Sequence, residues 1–202
     1  MSALVLYGAP GSGSAAVEMA LRACGLPFER VRAATWEPGP GLDALRRINP
    51  LGQIPTLQLP DGSVLTESAA ILIHLGLQHP QSGLLPTDPS RRAQALRGLV
   101  FIAANCYPAV SISDYPERWT TATTQPAQAK VRAGARAQLH RAWDIFADQF
   151  GPLLDDEPPG ALAMLAVVVS GWSGARVHLK RSRPGFLRQL EALAKLPRLG
   201  VE

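Results

Sequence analysis

The chain has 202 residues, 47% of them hydrophobic and 18% charged, a balance that excludes a disordered chain and leaves room for one large core or two small ones. Its net charge of +4 comes from scattered Lys and Arg, grouped only at Arg46-Arg47, Arg91-Arg92 and Lys180 to Arg183, which argues against a nucleic-acid groove. Cys24 and Cys106 have no CxxC spacing and no His/Cys cluster beside them, so neither a disulfide framework nor a zinc site is indicated and a reducing cytoplasm is the natural setting.

Leu4 to Tyr7 (LVLY) reads as a short buried strand, followed by a flexible turn, Gly8 to Ser14 (GAPGSGS). Val17, Ala20, Leu21 and Cys24 then recur at helical spacing, and Gly25 and Pro27 close that helix. Phe28 to Arg32 (FERVR) alternates as a second strand, and a short helix from Leu42 to Ile48 stops before Pro50. Strand, helix and strand in this order predict a parallel pair with a right-handed crossover. TLQL and SVL bracket Pro60-Asp61-Gly62, a hairpin signal, and from Thr66 the period turns helical through Ser68, Ile71, Leu72 and Leu75.

Pro80 to Pro89 has the composition of a linker, and everything beyond reads as helix: Ser90 to Cys106, Gln125 to Phe150, Gly160 to Leu179 and Pro184 to Leu196. Two domains are therefore expected, an α/β one over 1–80 and an all-helical one over 90–202, joined by 81–89. The longest apolar run, Ala161 to Val169, is about half of the roughly 20 residues that a membrane crossing needs, so a core helix and no membrane partner are expected. MSALVLYGAP does not have the pattern of a signal peptide.

NPLGQIPTL (Asn49 to Leu57) and LTESAAIL (Leu65 to Leu72), in this element order, resemble the cytosolic glutathione S-transferase superfamily, in a bacterial, beta-like form. The resemblance implies a thioredoxin-like N-terminal domain, an all-helical C-terminal domain, a homodimer and glutathione as co-substrate, with no metal. It also implies that Pro55 is cis and presents the Ile54 backbone to the tripeptide. Ser68 then takes the γ-glutamyl carboxylate, Glu67 faces the α-amino group, and Gln53 contributes to the same site. A helix N-terminus suits a carboxylate. From the residues alone, Pro55 is equally a trans turn proline, Thr66 or Ser68 an N-cap, Glu67 a first-turn acid and Gln53 an exposed amide.

A glutathione thiol with a pKa of about 8.5 is mostly protonated at neutral pH, and lowering it two units takes roughly 2.7 kcal/mol. The resemblance implies a hydroxyl or thiol donor in the turn after the first strand. The beta-class Cys falls on Gly13, between Ser12 and Ser14, so cysteine-dependent thiol transfer is not expected. Ser14, ahead of Ser12, is the expected donor, each being also a plausible cap or loop serine. Tyr107, in LVFIAANCYP, matches a family position that faces the electrophile, and as a residue it is equally a packed helix-end tyrosine. The beta-class lysine has no match, Trp36 and Glu37 standing there, and Ala161 and Met164 replace the usual capping box of the later helix. Cys24, Cys106, Trp143 and Trp172 read as core, and none of the four histidines is assigned a role.

Gly11 to Ala16 also fits G-x-G-x-x-A, but too few parallel strands precede the proline-rich stretch for a dinucleotide fold, and the P-loop lysine is missing. The expected function is conjugation of the glutathione thiolate to a small electrophile. The alternative is a non-catalytic glutathione-binding or regulatory module of the same fold.

Overall fold

The computed structural model describes residues 3–200. The N-terminal part runs β1 (Leu4–Gly8), α1 (Ser14–Ala23), β2 (Phe28–Arg32), α2 (Pro40–Ile48), β3 (Thr56–Gln58), β4 (Val64–Thr66) and α3 (Ser68–Gln78), the order the periodicity predicts. Its sheet has the order β2-β1-β3-β4. β1 pairs in parallel with β2, Leu4 opposite Phe28, and antiparallel with β3, Tyr7 opposite Thr56. The parallel pair needs the α1 crossover, whereas the Asp61-Gly62 turn closes β3 on β4 directly. Asp61 reinforces that turn by accepting from the Ser63 N–H at 2.9 Å.

The remainder is helical: α4 (Pro89–Phe101), α5 (Tyr107–Asp114), α6 (Gln125–Phe150), α7 (Ala161–Val169), α8 (Ala175–Ser182) and α9 (Pro184–Leu193). One continuous buried cluster joins the two parts, from Leu6, Val17, Leu21 and Leu72 to Leu99, Trp143, Phe146 and Leu165. A second, small cluster of Tyr7, Ala33, Leu42 and Leu45 seats α2, which accounts for the buried Tyr7 expected at the end of the first strand. Eight of the nine residues of α7 are buried, and its first N–H is donated by Ala161 to the Leu84 carbonyl at 2.8 Å. Burial and a linker carbonyl thus serve the helix that lacks a side-chain cap.

Three expected helices have different boundaries, the last of them ending at Leu193 and not Leu196. The predicted end at Cys106 is not an end: helix continues to Asp114 through a π-helical turn, Ile102–Cys106. Pro108 has no N–H to give, and the Tyr107 N–H reaches back five residues to the Ile102 carbonyl, which absorbs the proline without breaking the rod. The predicted single helix from Gly160 to Leu179 is instead α7 and α8, separated at Ser173 (φ 50) and Gly174 (φ 82), both in left-handed backbone. The proline-rich stretch carries one short 3-10 turn, Pro80–Ser82. The continuous run Pro89–Asp114 is long and apolar enough, by length and composition alone, to cross a membrane. In the fold its Leu99, Ile102 and Cys106 lie in the shared core.

Candidate functional site

The turn after β1 is closed by its own hydroxyls. Ser12 Oγ donates to the Ala9 carbonyl at 2.7 Å and accepts from the Ser14 N–H at 3.2 Å. Ser14 Oγ lies 2.8 Å from Ser12 Oγ and accepts from the Ala9 N–H at 3.2 Å. Both serines are buried, so their hydroxyl protons are engaged inside the turn. Gly8 makes this possible, because a methyl group there would overlap Ser14 Cβ and Oγ. Gly13, between the two serines, starts α1 with ordinary helical angles, φ −61, and no side-chain cap.

Across from the turn, the segment before β3 is held by Asn49, which is 4% exposed. Its Nδ2 donates to the Gln53 carbonyl at 3.0 Å and to Thr56 Oγ1 at 2.9 Å, and its Oδ1 accepts from the Leu51 N–H at 3.1 Å. Thr56 Oγ1 donates to the same Gln53 carbonyl at 2.8 Å. Ile54–Pro55 is cis, with Pro55 buried, and the Gln53 side chain is exposed. The Ile54 main chain makes no turn or loop hydrogen bond among the described residues.

Beyond the hairpin, Glu67 is the residue before α3 and is exposed in left-handed backbone, φ 63 and ψ 108. A non-glycine residue held there costs on the order of 1–3 kcal/mol, and such strain concentrates where a site needs it. Neither Thr66 nor Ser68 caps α3 by its side chain. Ser68 is buried, and its Oγ instead lies 2.9 Å from Tyr107 Oη at the first residue of α5.

Tyr107 connects this corner to the turn. A methyl group on Gly13 would stand 2.7 Å from Tyr107 Oη and 3.5 Å from Pro55 Cδ, so the phenol occupies the space a side chain at residue 13 would fill. Burial pushes its pKa up to about 12, with Glu67 and Cys106 adding to the rise and the Ser68 hydrogen bond opposing it. Its ring meets Trp172 edge-on at 5.6 Å between centroids, and the Trp172 indole N–H donates to the Gly11 carbonyl at 3.2 Å. Trp172 packs against the shared core, as expected, and its indole also lies on the turn. Burial likewise pushes the Cys106 thiol up to about 12, which leaves it a core group.

The expected residues therefore fall on two sides of the turn. Gly13, Pro55, Ser68 and Tyr107 converge on one side, with Glu67 at its rim. Ser12 and Ser14 line the other, where a cavity of about 600 Å³ runs between Leu6, Arg30, Val31, Val168 and Trp172. Arg30 at that cavity pairs with Glu18 at 3.0 Å. Among the described residues, no group of three or more His, Cys, Asp or Glu is arranged to hold a metal ion. Asn49, Thr56 and Trp172 are the contributors that the sequence reading missed. The first two carried a signal, a buried-capable amide and hydroxyl flanking the proline segment, whereas nothing local marks Trp172.

A family model described as the N-terminal domain of glutathione S-transferase matches residues 14–78. An uncharacterised glutathione S-transferase-like protein of Escherichia coli is 36% identical over 115 residues, which span 56% of this chain and 56% of that protein. The maleylacetoacetate isomerase of Pseudomonas aeruginosa is 36% identical over 61 residues, 30% of this chain and 29% of that one. The chain thus spans about half the length, or less, of these curated relatives. A glutathione transferase homologue from Sulfitobacter, solved with bound glutathione, superposes with a TM-score of 0.79 at 25% identity, over 98% of this chain and 96% of that one.

Proposed function

The chain belongs to the glutathione S-transferase superfamily, and on that premise we propose that it binds glutathione and joins its thiolate to a small electrophile. The observation that carries this reading is the Ser68 hydroxyl, buried at the start of α3 and not spent as a cap, at one corner of a site shared with Gly13 and Pro55. In this reading the γ-glutamyl carboxylate takes Ser68 and the N-terminal N–H groups of α3, where the helix dipole favours an anion. Glu67 faces the α-amino group, and the exposed Gln53 side chain contacts the same end. The cysteinyl unit pairs with the Ile54 main chain as an added strand would.

The apolar walls of the neighbouring cavity, Leu6, Val31, Val168 and Trp172, suit an apolar electrophile. Ser12 and Ser14, expected from sequence as thiol donors, shape the turn, and Trp172, which lines the cavity and meets Tyr107 edge-on, is the wall that thiol and electrophile share. The chain acts as a homodimer in the cytoplasm, a reading that rests on the family resemblance and that light scattering checks.

Calorimetry with glutathione tests the binding, and turnover of chlorodinitrobenzene tests the chemistry. No heat at millimolar glutathione overturns the function. Binding without turnover of any electrophile favours a non-catalytic module, the second reading, which the engaged hydroxyl protons of Ser12 and Ser14 support. The match to the Pseudomonas aeruginosa isomerase makes glutathione-dependent isomerisation of maleylacetoacetate a substrate to include in the same assay.

A further inference from the structure

We propose that Tyr107, supplied by the helical region, is the catalytic residue that donates a hydrogen bond to the glutathione sulfur, in place of a side chain on the turn. The inference rests on the glutathione-binding reading above and assigns within it the group that steadies the thiolate. Three observations converge on the phenol. Its oxygen occupies the position that a residue-13 side chain would reach, 2.7 Å from a methyl carbon built on Gly13. It is 2.9 Å from Ser68 Oγ, the hydroxyl assigned to the γ-glutamyl carboxylate. The turn serines, by contrast, have their hydroxyl protons engaged with Ala9 and with one another.

The geometry couples binding to activation. The phenol and the Ser68 hydroxyl share one hydrogen bond. A carboxylate arriving at α3 accepts the Ser68 O–H, so that hydroxyl no longer donates to the phenol, and the phenolic O–H is directed toward the sulfur. The phenol stays protonated through the physiological range, so it acts as a donor and not as a base. The thiol proton leaves to solvent, and Tyr107 keeps its own. The thiolate electron pair then forms the S–C bond while the leaving group departs with the electrons of the bond it breaks, chloride in the case of chlorodinitrobenzene. The π-helical turn Ile102–Cys106 lies immediately before this tyrosine, whose N–H it holds on the Ile102 carbonyl.

The test is a pH titration of the thiolate absorbance of bound glutathione, with calorimetry on the same samples. In the wild type the bound thiol titrates at least a unit below its free value of about 8.5. Tyr107→Phe returns it to that value and lowers kcat at neutral pH at least about tenfold, the loss of thiolate that goes with one pKa unit. Gly13→Ala is the second variant. Its backbone angles accept alanine, its methyl group meets Pro55 at ordinary contact, and the one atom it must displace is the phenolic oxygen. It is expected to reproduce the Tyr107→Phe titration while glutathione still binds. A thiol that stays shifted in both variants overturns the inference, as does a wild type that binds glutathione with an unshifted thiol. Absence of glutathione binding to the wild type overturns the function itself and this inference with it.

Discussion

Ser68 Oγ and Tyr107 Oη stand 2.9 Å apart although their residues are 39 positions apart in sequence and belong to different parts of the fold. This contact ties the start of α3 to the start of α5 across the site. On the proposed reading the ligand carboxylate replaces the phenol at Ser68. Hydrogen bonds to charged groups contribute about 1.5–3 kcal/mol. Ser68→Ala is therefore expected to weaken glutathione binding by roughly tenfold to a hundredfold in calorimetry, and to lower the unfolding temperature as well, because the buried Tyr107 hydroxyl loses its partner. Unchanged affinity would remove Ser68 from the binding site.

Asn49 is expected to matter for stability and only through it for function. Asn49→Ala takes the acceptor from the Leu51 N–H and removes the Nδ2 hydrogen bonds to the Gln53 carbonyl and Thr56 Oγ1. At about 0.5–1.5 kcal/mol net for each hydrogen bond, the loss is on the order of 1–3 kcal/mol. Asn49→Asp keeps an acceptor for Leu51 but turns a second carboxylate oxygen toward the Gln53 carbonyl, so it is expected to be no better. Urea unfolding of both variants measures this, and an unaltered midpoint in either would show that the loop is held by other contacts.

Much of this architecture is legible in the residues, and the exceptions have physical causes. Period-2 and period-3.6 patterns identify every strand and helix of the N-terminal part, because each buries one face against a common core. Pro108 misleads as a helix stop, since a wider turn before it removes the conflict that a proline normally creates. The α7–α8 break carries a sequence signal in Gly171 and Gly174, but the continuous apolar pattern on either side hides it. The motif residues Pro55, Glu67 and Ser68 could be named because they lie in local signatures. Trp172 and the true position of Tyr107 could not, because a contact such as Trp172 to Gly11 spans 161 positions and exists only after folding.

The turn itself offers a packing test. A methyl group on Gly8 overlaps Ser14 Cβ and Oγ, and overpacking of this kind costs typically about 1–3 kcal/mol. Gly8→Ala is therefore expected to lower the unfolding midpoint. Removing the Ser14 side chain in the double variant Gly8→Ala/Ser14→Gly vacates the same space, so the two substitutions are expected to be less than additive. Strict additivity in urea unfolding would mean that the turn adapts without the two residues sensing each other.

Acid sensitivity is expected to come from the helical region. His140 stacks on His178 with ring centroids 4.3 Å apart, and His178 Nε2 is 2.9 Å from Asp144 Oδ2. Burial lowers the His140 pKa first, and His178, Arg136 and Arg181 lower it further against the opposing charge of Asp144. A base with a depressed folded-state pKa binds fewer protons than in the unfolded chain. Its stabilising contribution is therefore present above about 6.5 and is lost as pH falls below that value. Asp144 acts lower on the scale. Burial alone would raise it, but the Ser182 and His178 hydrogen bonds hold it down, so its contribution is lost only below about 3.9. Thermal midpoints of the wild type should thus fall in a first step just below about pH 6.5. His140→Phe keeps a ring on His178 and has nothing to titrate, so the first step should shrink while the second stays. An identical pH profile in the variant would show that His140 is not the group responsible.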